Sequence, residues 1–163
     1  MSNSAPELDP LERATADLSW VMTKPLTTLT RIERDPRADN AFSGTSFVPL
    51  SEEEWSTVIS TRSYIVLKLG SDFGTIEKSI QAGNAVQITL RQVLVGLDEL
   101  LREKAPPEAV EDLRDRYGSI DRFNELYPNI ESVTVADACE PHVFFEGLHK
   151  YGDEGNYYVS AGS

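Results

Sequence analysis

The clearest hydrophobic pattern in the chain lies within residues 84–104. Seven apolar side chains recur there at intervals of three or four and fall on one face of a helix, namely Val86, Leu90, Val93, Leu94, Leu97, Leu100 and Leu101. Ile88 and Val95 fall nearly opposite, which predicts a core helix contacted from two sides. Asn84 is the predicted N-cap, with Gln87 completing a capping box, and two consecutive prolines end the helix. We expect this long helix to be the centre of the fold.

Capping signals predict further, shorter helices. Asp9 followed by proline opens the first one, and Ser51 with Glu54 forms a capping box at the second. Gly118 provides a C-terminal stop for a later helix. The predicted helices cover residues 10–24, 52–61, 76–82, 107–117 and 120–127. We therefore expect about five to six helices around a long central helix, residues 84–104.

β-branched and aromatic residues predict a small sheet. The strongest strand is 64–69, whose nearly continuous apolar run predicts a central position covered on both faces. Other predicted strands are 26–34, 132–136 and a C-terminal hairpin of 143–151 with 156–161. Residues 35–49 carry turn residues throughout and are predicted to form a long loop.

These elements predict the α+β class. We expect a disordered tail at residues 1–8 and a single globular domain over 9–163, in which helices pack on a small mixed or antiparallel sheet. The chain lacks both a signal-peptide pattern and a run of roughly 18 apolar residues, which predicts a cytoplasmic protein without a membrane span. The one cysteine, Cys139, cannot form an internal disulfide.

Charge is the strongest global signal, with a formal net charge of −12. From residue 123 onward there are seven acids and one base, the acids being Glu125, Glu131, Asp137, Glu140, Glu146, Asp153 and Glu154. Such a surface repels nucleic acid and anionic lipid, and it attracts a basic partner. Acidity that serves solubility alone is the simpler explanation.

A possible reactive site lies in residues 137–149, which hold the cysteine and both histidines. Cys139, His142 and His149 are of the residue types that bind zinc, and a Cys/His pair can also form an activated nucleophile. On a helix, His142, Glu146 and His149 would share one face. On a strand, which Gly147 favours, His149 would point away from the other two.

No motif in the chain indicates a catalytic class. The chain has no paired C-x-x-C, H-E-x-x-H or G-x-S-x-G motif. The stretch 70–75, which joins a predicted strand to a predicted helix, lacks the lysine ending of a phosphate-binding loop and is predicted to be a tight turn. We therefore expect no cofactor, and the sequence leans against an enzyme without excluding one.

The C-terminal tyrosines are the candidate binding residues. Tyr151, Tyr157 and Tyr158 lie beside Asp153 and Glu154, and tyrosine is enriched at protein interfaces. A hairpin edge can also pair with another chain. Ordinary strand packing is the alternative explanation of these tyrosines.

The sequence thus favours a small acidic protein-binding module of the inhibitor, immunity or adaptor kind that engages a basic partner. A nucleic-acid mimic would be a narrower form of it, requiring carboxylates spaced like phosphates. The alternative is a small enzyme or ligand-binding domain that uses Cys139, His142 and His149, with or without zinc. The sequence leaves the oligomeric state and the partner open.

Overall fold

The computed structural model describes residues 8–37, 44–71, 74–152 and 155–163. These residues form a mixed α and β structure, which confirms the predicted class at that level. The helices are α1 (Pro10–Thr15), α2 (Glu52–Trp55), α3 (Leu90–Arg102), α4 (Pro107–Tyr117), α5 (Ile120–Leu126) and α6 (Val135–Ala138). The strands are β1 (Leu18–Ser19), β2 (Thr30–Arg34), β3 (Thr45–Pro49), β4 (Val58–Ser60), β5 (Tyr64–Ser71), β6 (Gly74–Gln81), β7 (Ile88–Thr89), β8 (Phe144–Lys150) and β9 (Asn156–Gly162).

The largest sheet is mixed and has the strand order β6-β5-β9-β8. β5 pairs antiparallel with β6 and parallel with β9, and β8 and β9 form an antiparallel pair as predicted for the C-terminal hairpin. Along β5, Ile65, Leu67 and Leu69 are buried whereas Tyr64 is exposed. The prediction that this strand is covered on both faces is therefore wrong, because one face of the sheet is open to solvent.

The helix predicted for residues 84–104 begins later, at Leu90. Thr89 is its N-cap and forms a capping box with Gln92, because residues 88–89 pair with β4 instead of entering the helix. Val86 lies outside the helix with a φ of 51° and is half exposed. The prediction that α3 is contacted from two sides is wrong on the side of Val95, which is 40% exposed. The face of α3 bearing Leu94 and Leu97 packs toward the sheet.

Two elements have the opposite type from the prediction. Residues 76–82 were predicted to be helical, but 76–81 lie in β6, which pairs with β5 over its full length. The spacing of Ile76 and Ile80 suits either structure, and pairing with β5 decides between them. Residues 132–136 were predicted as a strand, but Thr134 and Asp137 form a capping box that opens α6.

Other boundaries follow their local signals in part. The caps at Asp9, at Ser51 with Glu54 and at Gly118 are confirmed. The first two helices end early, at Thr15 and Trp55, and short strands follow each of them. Of the predicted loop 35–49, residues 45–49 form β3, which pairs with β2, whereas residues 38–43 lie outside the described residues.

Buried side chains form two clusters. The larger one lies between α3, α1 and the four-stranded sheet. The smaller one belongs to a helical unit, residues 105–138, where Phe123 packs with Val110 and Leu113 beneath Tyr117 and Tyr127. In the part of the chain that the structure describes, no helix has the length and apolar character needed to span a bilayer.

The β8 edge of the large sheet is covered by the N-terminal segment. The Leu148 N–H donates to the buried Thr15 Oγ1 (3.0 Å), and the Phe145 N–H donates to the Trp20 carbonyl (2.9 Å). At the other edge, no strand pairing of β6 on its outer side is found among the described residues. The C-terminal hairpin therefore does not present the free edge that was considered for pairing with a partner.

Candidate functional site

The solvent-facing side of the large sheet is the most distinctive exposed surface, and we call it the open sheet face. It arises because alternate residues of each strand point away from the core. Its members are Tyr64, Val66, Lys68, Thr75, Glu77, Ser79, Gln81, His149, Tyr151, Asn156, Tyr158 and Ser160. The face thus combines tyrosines with small hydrogen-bonding side chains.

Tyr158 is the centre of an aromatic group on this face. Its ring centroid lies 5.4 Å from that of His149 and 6.4 Å from that of Tyr151. Tyr158 is 45% exposed and Tyr151 38% exposed. His149 Nδ1 also lies 3.8 Å from the Glu12 carboxylate. The rings are therefore held against one another while much of their surface remains in contact with solvent.

Lys68 places a cation beside these rings. Its Nζ lies 4.8 Å from the centroid of the Tyr151 ring and 3.2 Å from Glu77 Oε1. A hydrogen bond with Tyr151 and the pairing with Glu77 raise the pKa of Lys68, which keeps its ammonium charged. Glu77 balances this charge, so the aromatic group carries little net positive charge.

The structure separates the residues that were predicted to bind a partner. Tyr151 and Tyr158 are on the open sheet face, but Tyr157 points into the core and is 4% exposed. The Tyr157 hydroxyl donates to Asp9 Oδ2 at 2.9 Å, and burial is the main cause that raises the pKa of Tyr157. A binding role for Tyr157 does not fit this burial. Asp153 and Glu154 lie outside the described residues.

The residues of the proposed Cys/His cluster are also divided. Segment 141–151 is a strand from Phe144 onward, and His149 lies near its far end, roughly 20 Å along the chain from His142. Cys139 and His142 instead line one cavity of about 230 Å³, which we call the seam cleft because it lies between the two clusters of buried residues. Its other lining residues are Leu69, Gly70, Asp112, Arg116, Ala138, Val159 and Ala161.

The chemistry of the seam cleft is not that of an activated nucleophile. Cys139 is buried, and burial raises the pKa of its thiol to about 11 despite the nearby Arg116 cation. The thiol therefore stays protonated and weakly nucleophilic near neutral pH. No three residues of the metal-binding types come together as a metal site within the described ranges. Arg116 Nη2 is engaged by the Ala138 carbonyl (2.7 Å) and the Asp112 carboxylate (3.3 Å).

The stretch 70–75 joins two strands of a hairpin, because the residues after it form β6. The helix N-terminus that an anion site would need there is thus missing, and residues 72–73 lie outside the described residues. Tyr64 and Lys68 were not predicted as members of the open sheet face, although Lys68 contacts the Tyr151 ring there. Their alternation with Ile65 and Leu67 was the available signal.

Carboxylates without an ion-pair partner concentrate on the helical unit. Glu108, Glu111 and Asp115 are exposed on α4, and Asp121 and Glu125 are exposed on α5. Within the described part of the chain none of these five makes a salt bridge, whereas Asp112 pairs with Arg116.

No protein-family model, no curated protein and no solved structure matches this chain, so its own geometry carries the functional argument.

Proposed function

We propose that this chain is an acidic protein-binding module of the inhibitor, immunity or adaptor kind, which engages a basic partner through the open sheet face. The observation that carries the proposal is the exposure of Tyr151 and Tyr158, at 38% and 45%, in a packed aromatic group on a regular sheet. A contact residue held in place before binding loses little side-chain entropy when the partner arrives.

The composition of the face supports a protein as the ligand. Tyrosine provides large amphipathic contact area with few rotatable bonds, and serine and asparagine provide adaptable hydrogen bonds. Ser79, Gln81, Asn156 and Ser160 supply such groups around the tyrosines. This mixture of rigid aromatic anchors and small polar side chains is typical of surfaces that recognise folded proteins.

Charge supports a basic partner. The chain carries a net charge of −12, and the only lysine on the open sheet face is balanced by Glu77. The faces of tyrosine rings also attract arginine and lysine side chains. Asp153 and Glu154 follow Tyr151 closely in the sequence. We expect reversal of their charges to slow association with the partner.

The test is affinity capture from lysate of the source organism with three baits, washed at two salt concentrations. The baits are the native protein, Tyr158→Ser and the matched control Phe47→Ser, which changes an aromatic side chain that is 61% exposed on β3. We expect one basic protein, near stoichiometric, on the native and Phe47→Ser baits, with less of it on Tyr158→Ser and at the higher salt. Identical captures by all three baits would contradict a role for the open sheet face.

A second candidate function is binding of a small ligand in the seam cleft. It is favoured by one observation, that Cys139 and His142 line the same cavity. A ligand in this cavity would shield the thiol. We therefore expect a binding compound from a fragment library to slow modification of Cys139 by a maleimide, with His142→Ala weakening that protection. A library in which no compound slows the modification would argue against this function.

A further inference from the structure

We infer that the helical unit carries a second docking site, which takes a basic amphipathic helix of a partner protein. The site is a groove between the start of α4 and the turn at Ile130–Ser132. Its apolar residues are Ala105, Pro107, Val110 and Ile130. It goes beyond the function proposed above, because it lies on the helical side of the large sheet. There α6 links α4 to α3, whereas the open sheet face is on the other side.

The groove has room for an apolar side chain. Its volume is about 350 Å³, and a cavity of roughly 150 Å³ can hold a benzene ring. Ile130 is 41% exposed at its margin. A leucine or phenylalanine of a partner would cover Ile130 and fill space that the chain itself leaves open.

Two further aliphatic side chains are exposed on the same unit. Ile120 is 65% exposed and Leu126 is 54% exposed, at the two ends of α5. Exposed aliphatic residues are ordinary when they are scattered, but here three of them lie between positions 120 and 130 of one helical unit, and Ile130 lines the groove itself. The apolar part of an amphipathic helix would cover Ile130, and the exposed side chains of α5 add apolar surface to the same unit.

The acids around the groove favour a cationic occupant. The lining itself is charge-balanced, with Lys104 and Arg114 against Glu111 and Glu131, so the preference comes from the acids beyond it. Residues 104–131 contain seven acids and four bases. Two of the bases are used internally, since Lys104 pairs with Glu131 and Arg116 pairs with Asp112. A third, Arg114, has its guanidinium 5.3 Å from the centre of the Phe123 ring, with a buried Nε.

The spacing of the free carboxylates fits a helical partner. Glu108, Glu111 and Asp115 follow one another at three and four positions, so they form one exposed stripe along α4 next to the groove. Lysines at helical spacing on an antiparallel or parallel helix could face this stripe while an apolar residue enters the groove. A second copy of this chain would be repelled, because each copy carries −12.

Two docking surfaces on opposite sides of one sheet would allow this chain to hold two proteins at once. Among the kinds considered under the proposed function, this arrangement favours an adaptor. Binding at the groove does not require binding at the open sheet face, so either proposal can be refuted without the other.

The test uses a fluorescein-labelled peptide of leucine and lysine at helical spacing, about four turns or 14 residues long. A peptide of the same composition in scrambled order is the reference. Fluorescence anisotropy is measured with the full chain and with Ile130→Ser, and separately with Glu111→Gln combined with Asp115→Asn. We expect each change to weaken binding of the helical peptide by about fivefold and to leave binding of the scrambled peptide nearly unchanged.

Matched controls separate docking from general attraction to an acidic protein. Val86→Ser removes a comparably exposed apolar side chain elsewhere, Glu53→Gln removes an exposed acid of α2, and Tyr158→Ser alters the open sheet face. None of the three should change affinity for the helical peptide. Equal affinities for native protein, Ile130→Ser and Val86→Ser would overturn the inference. NMR amide shifts on peptide addition give a second test. Shift changes on β5 and β9 rather than on residues 108–131 would also overturn the inference, and this outcome does not depend on the result of the capture experiment.

Discussion

Tyr157 and Tyr158 are adjacent in sequence, but the structure predicts opposite consequences when each loses its hydroxyl. The Tyr157 hydroxyl donates to the Asp9 carboxylate at 2.9 Å and is removed from water, whereas Tyr158 is 45% exposed. We expect Tyr157→Phe to lower the free energy of unfolding and Tyr158→Phe to leave it almost unchanged. The pair is a matched comparison, because the same atom is removed from the same residue type in the same strand.

The size of the Tyr157 effect follows from its partner. A hydrogen bond to a charged group contributes about 1.5–3 kcal/mol, and Asp9 is only half-buried and still accepts from the Leu11 N–H (3.0 Å). We therefore expect about 1.5 kcal/mol for Tyr157→Phe, which corresponds to a fall in Tm of about 3–6 °C for a chain of this size. For Tyr158→Phe we expect a change within about 0.5 kcal/mol.

Urea unfolding at neutral pH, followed by the fluorescence of Trp20 and Trp55, measures both variants. The pH dependence provides a second reading. Burial raises the pKa of Tyr157, so its neutral form stabilises the fold fully below pH of about 10, where an unfolded tyrosine is also neutral. That contribution is lost as pH rises above this value. The free energy of unfolding should therefore fall less steeply with alkaline pH in Tyr157→Phe than in the native protein. Equal midpoints for the two variants, or a larger loss in Tyr158→Phe, would refute the reasoning.

Three further predictions concern stability. Thr15→Val should cost about 2 kcal/mol in urea unfolding because the buried Leu148 N–H loses its acceptor, and Thr15→Ser should cost clearly less; equal losses would point to packing instead. Since burial raises the pKa of Cys139 to about 11, Cys139→Ala should lose less stability than the native protein between about pH 9 and pH 11, and parallel declines would contradict this. Thr89→Ala should cost about 1 kcal/mol by removing the cap of α3, whereas Thr89→Ser should be nearly neutral if capping is the cause.

The functional proposals depend on surfaces rather than on a reactive centre. The open sheet face presents Tyr151 and Tyr158 on a regular sheet, and the helical unit presents an acidic stripe beside an apolar groove. Both arrangements fit recognition of cationic proteins by a chain of net charge −12. The two surfaces can be tested separately because Tyr158 and Ile130 lie on different sides of the sheet.

The features that the sequence determined by itself are those set by neighbouring residues. Asp9 before a proline, Ser51 with Glu54, and Gly118 define their helix ends through side-chain acceptors and backbone conformation, which need no tertiary contact. The C-terminal hairpin was predictable for the same reason, since its turn residues and alternation lie within twenty residues of one another. The mixed α and β class follows from these elements.

Tertiary structure decided everything that depends on a distant partner. Residues 76–81 carry apolar side chains at a spacing that suits a helix or a strand, and the long antiparallel pairing with β5 selects the strand. Pairing of residues 88–89 with β4 delays the start of α3. The candidate sites changed for the same reason. Strand pairing placed His149 beside Tyr158, far from His142, and turned Tyr157 into the core, because a strand sends successive side chains to opposite faces and only the assembled sheet determines which face is buried.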